Sequence, residues 1–160
     1  MSFIVVCNSF NNFSASPFRD VYQFLINWDF FPVSKYILRM DFNSFSTSAE
    51  LTSGIPSRSF CNISIDGLPF RNYNAGSNSE TQTTQHIGIA RVESQSMDGA
   101  DANNIGVLVC SPYDNPPIYM PYKPSSDSLT VRFFEIDGIT PYTRMNAINF
   151  VLSLHFTPID

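Results

Sequence analysis

Between Ile148 and Thr157 the chain alternates with a period of two. Ile148, Phe150, Leu152, Leu154 and Phe156 fall on one side; Asn149, Val151, Ser153, His155 and Thr157 fall on the other. Successive side chains of a β-strand point to opposite faces, so this run reads as a long strand with one buried face. The same period recurs where Tyr36, Leu38, Met40 and Phe42 alternate with Ile37, Arg39, Asp41 and Asn43. It recurs again where Tyr22, Phe24, Ile26 and Trp28 alternate with Val21, Gln23, Leu25 and Asn27. After Ser128 the inward positions are Leu129, Val131 and Phe133, and the slip at Phe133-Phe134 predicts a bulge that re-aims the strand. Phe3 to Cys7 and Ile105 to Cys110 are continuous apolar runs, which predicts strands covered on both faces. Phe60 to Ile65 and Ile87 to Glu93 complete a set of about eight strands.

Composition points the same way. Fifteen Phe and seven Tyr supply most of the apolar bulk, while only two Lys and four Glu occur among 160 residues. Strong helix formers are scarce, and aromatic residues that suit a pleated surface replace them. Eight strands is the number that a jelly roll uses. The expected fold is therefore all-β: a single jelly-roll β-sandwich of about eight antiparallel strands, with residues 1–160 as one domain. Phe150, Leu152, Leu154, Tyr36, Leu38, Met40, Phe24 and Ile26 are expected to be buried together.

The net charge of −5 contains no basic stripe, and phosphate binding needs clustered Lys and Arg, so no direct nucleic-acid partner is expected. No stretch approaches the length of a membrane span, and the first residues lack the pattern of a secretory signal. Synthesis in the cytoplasm is expected. Cys7, Cys61 and Cys110 are odd in number and widely spaced, which predicts buried thiols. Asn12-Phe13-Ser14 and Asn62-Ile63-Ser64 match a glycosylation sequon, and without a secretory route the match is read as chance.

Catalytic chemistry is hard to assemble from these residues. There is no nucleophile with a base at a usable spacing, no carboxylate pair and no His/Glu cluster for a metal. The expectation is no enzyme, no cofactor, no catalytic residue and no metal site. His86 and His155 are read as solvated imidazoles. Asp98 to Asn104 is the one acidic loop that invites calcium, and it lacks the EF-hand alternation, so it is read as an Asx-rich turn. Asp29 beside Trp28, and Asp114 among tyrosines, suggest a sugar platform, but Trp28 lies on the buried stripe of its strand.

Two long connections stand out. Gly67 to His86 is polar and reads as a mobile loop. Ser111 to Asp127 holds five prolines together with Tyr113, Tyr119 and Tyr122, and reads as a stiff loop. Prolines cut the entropy lost on docking, and tyrosines bring contact area with a hydrogen-bonding tip. Tyr113, Tyr119, Met120 and Tyr122 are accordingly the candidate protein interface; the competing reading makes the loop a lid over the core.

The segment Leu129-Thr130-Val131-Arg132-Phe133-Phe134-Glu135-Ile136-Asp137-Gly138, a Pro, and then Asn149-Phe150-Val151-Leu152-Ser153-Leu154 resembles the closing strands of viral capsid jelly rolls. It is similar to penton and minor capsid proteins of the nucleocytoplasmic large DNA viruses. The resemblance implies a structural capsid protein, a penton or minor capsid component of a large icosahedral virus, located in the virion. Its partners would be other capsid proteins or further copies of itself. The alternative is a carbohydrate- or ligand-binding β-sandwich module, which would carry a secretory signal and exposed aromatic platforms. A trimeric tumour-necrosis-factor-like or fibre-head module ranks next, and an enzyme last.

Overall fold

The computed structural model describes residues 2–11, 21–31, 35–45, 60–70, 72–75, 81–84, 86–94, 106–142 and 149–159. Eleven strands occur among them: β1 (Phe3–Asn8), β2 (Val21–Leu25), β3 (Tyr36–Phe45), β4 (Phe60–Asp66), β5 (Asn72–Ala75), β6 (Thr81–Thr84), β7 (His86–Ser94), β8 (Gly106–Cys110), β9 (Ile118–Met120), β10 (Ser128–Phe134) and β11 (Asn149–Pro158). No α-helix occurs among the described residues; Ser9–Asn11 and Trp28–Phe30 form single 3₁₀ turns. The fold is all-β.

The strands hydrogen-bond in the order β1-β11-β3-β8-β7-β4-β10-β2, with β9 added beside β3. Every pairing is antiparallel, and the sheet curls into a nearly closed barrel-like form. Its two ends are β1 and β2. Register explains the core. Phe150, Leu152, Leu154 and Phe156 of β11 lie opposite Ser44, Phe42, Met40 and Leu38 of β3, and all of them point inward. Leu129, Val131 and Phe133 of β10 meet them from the other half, opposite Phe24 and Tyr22 of β2 and Ile65 and Ile63 of β4.

Aromatic rings knit the halves together edge to face. Tyr22 and Phe150 stand 4.7 Å apart at 86°, and Phe133 and Phe150 stand 5.0 Å apart at 72°. Each such pair contributes about 0.5–1.5 kcal/mol beyond the area it buries. Cys7, Cys61 and Cys110 are buried free thiols, as expected. Burial pushes Cys7 up to about 12 and raises Cys61 further.

Several details depart from the sequence reading. β1 is not covered on both faces: Ile4 and Val6 face outward and are exposed, because β1 ends the sheet. There is no bulge at Phe133-Phe134, where β10 pairs β4 in regular register to its end. The register shift lies between β4 and β7, where Ile63 pairs Gly88 and Ser64 pairs His86, leaving Ile87 as the extra residue. The Gly67 to His86 connection contains the β5–β6 hairpin, and Leu68 and Phe70 anchor its start in the core. Ile26 is only partly buried, because β2 ends at Leu25. Ile105, Ile148, Asn12 and Asp98 to Asn104 lie outside the described residues.

Candidate functional site

The segment after β8 is anchored at each stage. At its start the Asp114 carboxylate accepts the Ser111 N–H at 2.8 Å, and the Asp114 N–H donates to the Ser111 carbonyl at 3.1 Å. The bond from the Ser111 backbone holds the Asp114 carboxyl below its usual range. Asn115 then reaches across to β7. Its Oδ1 accepts the Ile89 N–H at 2.9 Å and its Nδ2 donates to the Ile89 carbonyl at 3.1 Å. One side-chain amide thus stands where a neighbouring strand would supply a donor and an acceptor. Glycine at 88 makes this approach possible: a Cβ there would lie 2.7 Å from Asn115 Cγ and 2.6 Å from Met40 Cε.

Beyond Pro117 the chain becomes β9 and pairs Tyr36, Ile37 and Leu38 of β3 with Met120, Tyr119 and Ile118. Pro124 is buried, the Ser126 carbonyl accepts the Trp28 indole N–H at 2.6 Å, and the Asp127 carbonyl accepts the Ile26 N–H at 2.8 Å. What read as one stiff loop is a short strand with a tethered turn on either side.

This placement separates the four predicted interface residues. Tyr113, Tyr119 and Tyr122 are 82%, 54% and 58% exposed. Met120 is fully buried, so the structure removes it from any surface. The reason is the period of β9: Ile118 and Met120 face the core beside Leu38 and Tyr36, and only Tyr119 faces out, opposite Ile37. Arg39, also outward on β3, places its guanidinium 5.0 Å from the centre of the Tyr113 ring and donates to the Pro112 carbonyl at 3.2 Å. The outer face of β1, β11, β3 and β9 therefore brings together Tyr113, Tyr119, Ile37, Ile4 and Val6.

The other candidates sort by their surroundings. His86 is not a solvated imidazole. Its Nε2 donates to the Gly138 carbonyl at 3.1 Å, and its ring meets Phe134 edge-on at 5.4 Å. His155 is half-buried between Ile4 and Arg39, its Nε2 covered and without a hydrogen-bond partner among the described residues. Trp28 is buried and its N–H is engaged, so it offers no platform to a sugar. Asn62 of the second sequon is buried, its amide donating to the Glu135 and Ile136 carbonyls. No three His, Cys, Asp or Glu side chains among the described residues are placed to hold a metal ion. No described helix is long and apolar enough to cross a membrane.

Sequence reasoning missed the exposed side chains of Phe10, Leu25, Phe30 and Phe60, and two further exposed apolar features. One is the pair Ile136 and Ile139 at the turn after β10, where Asp137 accepts from the Ile139 and Thr140 N–H groups and the Thr140 hydroxyl. The other is Ile4 and Val6 on β1, for which the signal was an apolar run at the end of a sheet. Compared with models of known protein families and with curated proteins, the sequence gives no match.

Proposed function

We propose that this chain is a single jelly roll that serves as a structural capsid protein, a penton or minor capsid component of a large icosahedral DNA virus. It would act through protein–protein packing in the virion. The observation that carries the assembly role is the segment from Ser111 to Asp127: its backbone is tethered to β7, β3 and Trp28, while three tyrosine rings stay in solvent. Rings held out on a fixed backbone lose little entropy on docking, and tyrosine is enriched among the residues that dominate interface energies.

The strand pairing supports the jelly-roll reading. Among the eight strands of the main path, the first pairs the last (β1 with β11), the second the seventh (β2 with β10), the third the sixth (β3 with β8) and the fourth the fifth (β4 with β7). A long antiparallel ribbon rolled up on itself produces this nesting. Fold alone does not give function, so the capsid role rests on the surface and on the resemblance of the last two strands.

The ligand-binding alternative would need a recess with available polar groups. A groove of about 510 Å³ lies between β7 and the Asn115–Tyr119 stretch, lined by Phe70, Ile87, Ile118 and Tyr119. Its amides are already committed, Asn62 to the Glu135 and Ile136 carbonyls and Asn115 to Ile89.

The test is to replace Tyr113, Tyr119 and Tyr122 together with Ser. The melting temperature should change by no more than a few degrees, while incorporation into particles weakens at least tenfold. A large fall in melting temperature with assembly intact would make the segment a lid and end the interface reading.

A further inference from the structure

β1 is an edge strand of a kind that folded proteins usually avoid. It ends the strand order, so beyond it lies no further strand among the described residues. An open edge is a row of backbone donors and acceptors, and proteins normally blunt it with Lys, Pro, a bulge or an inward charge. Phe3-Ile4-Val5-Val6-Cys7-Asn8 has none of these devices. It carries no charge and no proline, and it pairs β11 residue for residue from Phe3 with Phe156 to Asn8 with Val151, without a shift. Its outward side chains, Ile4 and Val6, are 58% and 57% exposed.

The opposite edge differs. β2 exposes Leu25, but its other outward residues are Gln23 beside Thr130 and Val21 beside Arg132, next to the Arg132–Asp66 ion pair.

We infer that β1 pairs antiparallel with β1 of a second copy, about a two-fold axis through Val5. The occupant of a bare strand edge must itself be a strand, since only extended backbone matches its spacing of donors and acceptors. A second copy is favoured by self-complementarity. With the axis on Val5, Ile4 of one copy lies opposite Val6 of the other, and Val6 opposite Ile4, on one outer face. An uncharged strand meets its own copy without like-charge repulsion, which an edge bearing Lys or Asp would not. The contact is isologous and closes on itself, so it yields a dimer with one continuous sheet through both copies. Six residues span about 20 Å, which makes this a modest contact that dissociates on dilution. It does not depend on the tyrosine segment.

Sedimentation of the purified protein over a dilution series tests it. The wild-type protein should pass from dimer to monomer. Ile4→Lys with Val6→Lys should raise the dissociation constant at least tenfold, with an unchanged melting temperature at dilutions where the wild type is monomeric, because both side chains are more than half exposed. Leu25→Lys, on the other edge, should leave the dimer intact, and so should the triple tyrosine variant. Register is read by mild oxidation: an equal mixture of the Ile4→Cys and Val6→Cys proteins should give a covalent dimer, while neither protein alone should. A wild-type monomer at every concentration would overturn the inference. So would a double-Lys variant that dimerises like the wild type, or Val6→Cys protein that cross-links alone as well as the mixture does.

Discussion

The two halves of the sheet share one core and differ on the outside. Over β1, β11, β3 and β9 the outer face carries Ile4, Val6, Ile37, Val151 and Tyr119, with Tyr113 lying on Arg39. Over β2, β10 and β4 it carries Gln23, Thr130 and the exposed Leu25 and Phe60, with Arg132 paired to Asp66 at 3.4 Å. The second face carries that ion pair beside exposed apolar side chains, and the first carries Arg39, Asp41 and His155 as well as the tyrosines. Strands set the inward face by period and leave the outward face to selection, so a contrast between two outward faces reports on use rather than on folding.

If the halves are equal within and unequal without, core truncations should cost the same on either side. Leu152→Ala in β11 and Leu129→Ala in β10 both remove a fully buried leucine, and each should cost about 2–5 kcal/mol in chemical denaturation. Ser153→Ala, one residue along on the outer face, should stay within about 0.5 kcal/mol. A cheap Leu129→Ala would mean that the β2, β10 and β4 half is loosely packed, and the contrast would then extend to the interior.

Asn115→Ala probes where the two halves join, since β7 belongs to one and the tyrosine segment to the other. The Ile89 donor and acceptor would turn to water, for a loss of about 0.5–1.5 kcal/mol. Sharper than the energy is amide exchange: protection at Ile89 should fall while that at Leu152 holds. Unchanged protection at Ile89 would show that the amide does not act as a substitute strand.

Much of the interior was legible because alternation is a local property. Phe150 to Phe156 and Tyr36 to Phe42 declare their faces without knowledge of any neighbour. Burial that depends on a partner was not legible. β9 is three residues long and preceded by two prolines, so nothing local showed that it joins β3, and Met120 was assigned to the surface that only Tyr119 reaches. The run Phe3 to Cys7 is apolar on both sides, which reads as burial until the strand order puts it at an end. His86 looked solvated because its cover comes from Phe134 and Gly138, about fifty residues away. The exposed tyrosines were found by residue type and stiff context, which survive without tertiary information.

The β2, β10 and β4 half should also be the one that responds to mild acid. His86 sits on its outer face opposite Ser64, and burial, more than offsetting the bond to the Gly138 carbonyl, lowers the pKa of its ring from the ordinary 6.5. The unfolded chain therefore takes up this proton first as pH falls. Stability held above pH 6.5 is lost as pH drops through 6.5 toward the lower folded value, and levels off below it. The urea midpoint should fall between pH 7.5 and pH 5 in the wild type and stay flatter in His86→Gln. Asp114 and Asp137, whose pKa values are also lowered, act in the same sense only at more acid pH, near and below 3.8. Equal slopes for wild type and variant would take His86 out of the account.

The smallest effect belongs to the ion pair on the outer face of β10 and β4. Arg132 Nε and Asp66 Oδ2 are 3.4 Å apart, and both side chains are nearly half exposed. In that setting the attraction is weakened by water and offset by the entropy of holding two side chains still, so the pair is worth about 0–1 kcal/mol. Arg132→Ala also loses the packing of its methylene stem beside Val21, which a single substitution cannot separate from the charge. A double-mutant cycle with Asp66→Asn isolates the coupling. It should be no more than about 1 kcal/mol at low salt and should shrink toward zero in molar salt, where screening acts within about 3 Å. Incorporation into particles should not change in any of these variants. On the tyrosine-bearing face the pattern is the reverse, with incorporation into particles altered and stability spared. If Arg132→Ala weakened incorporation into particles as much as the triple tyrosine variant, both outer faces would be contact surfaces, and the contrast between them would no longer indicate which one meets a partner.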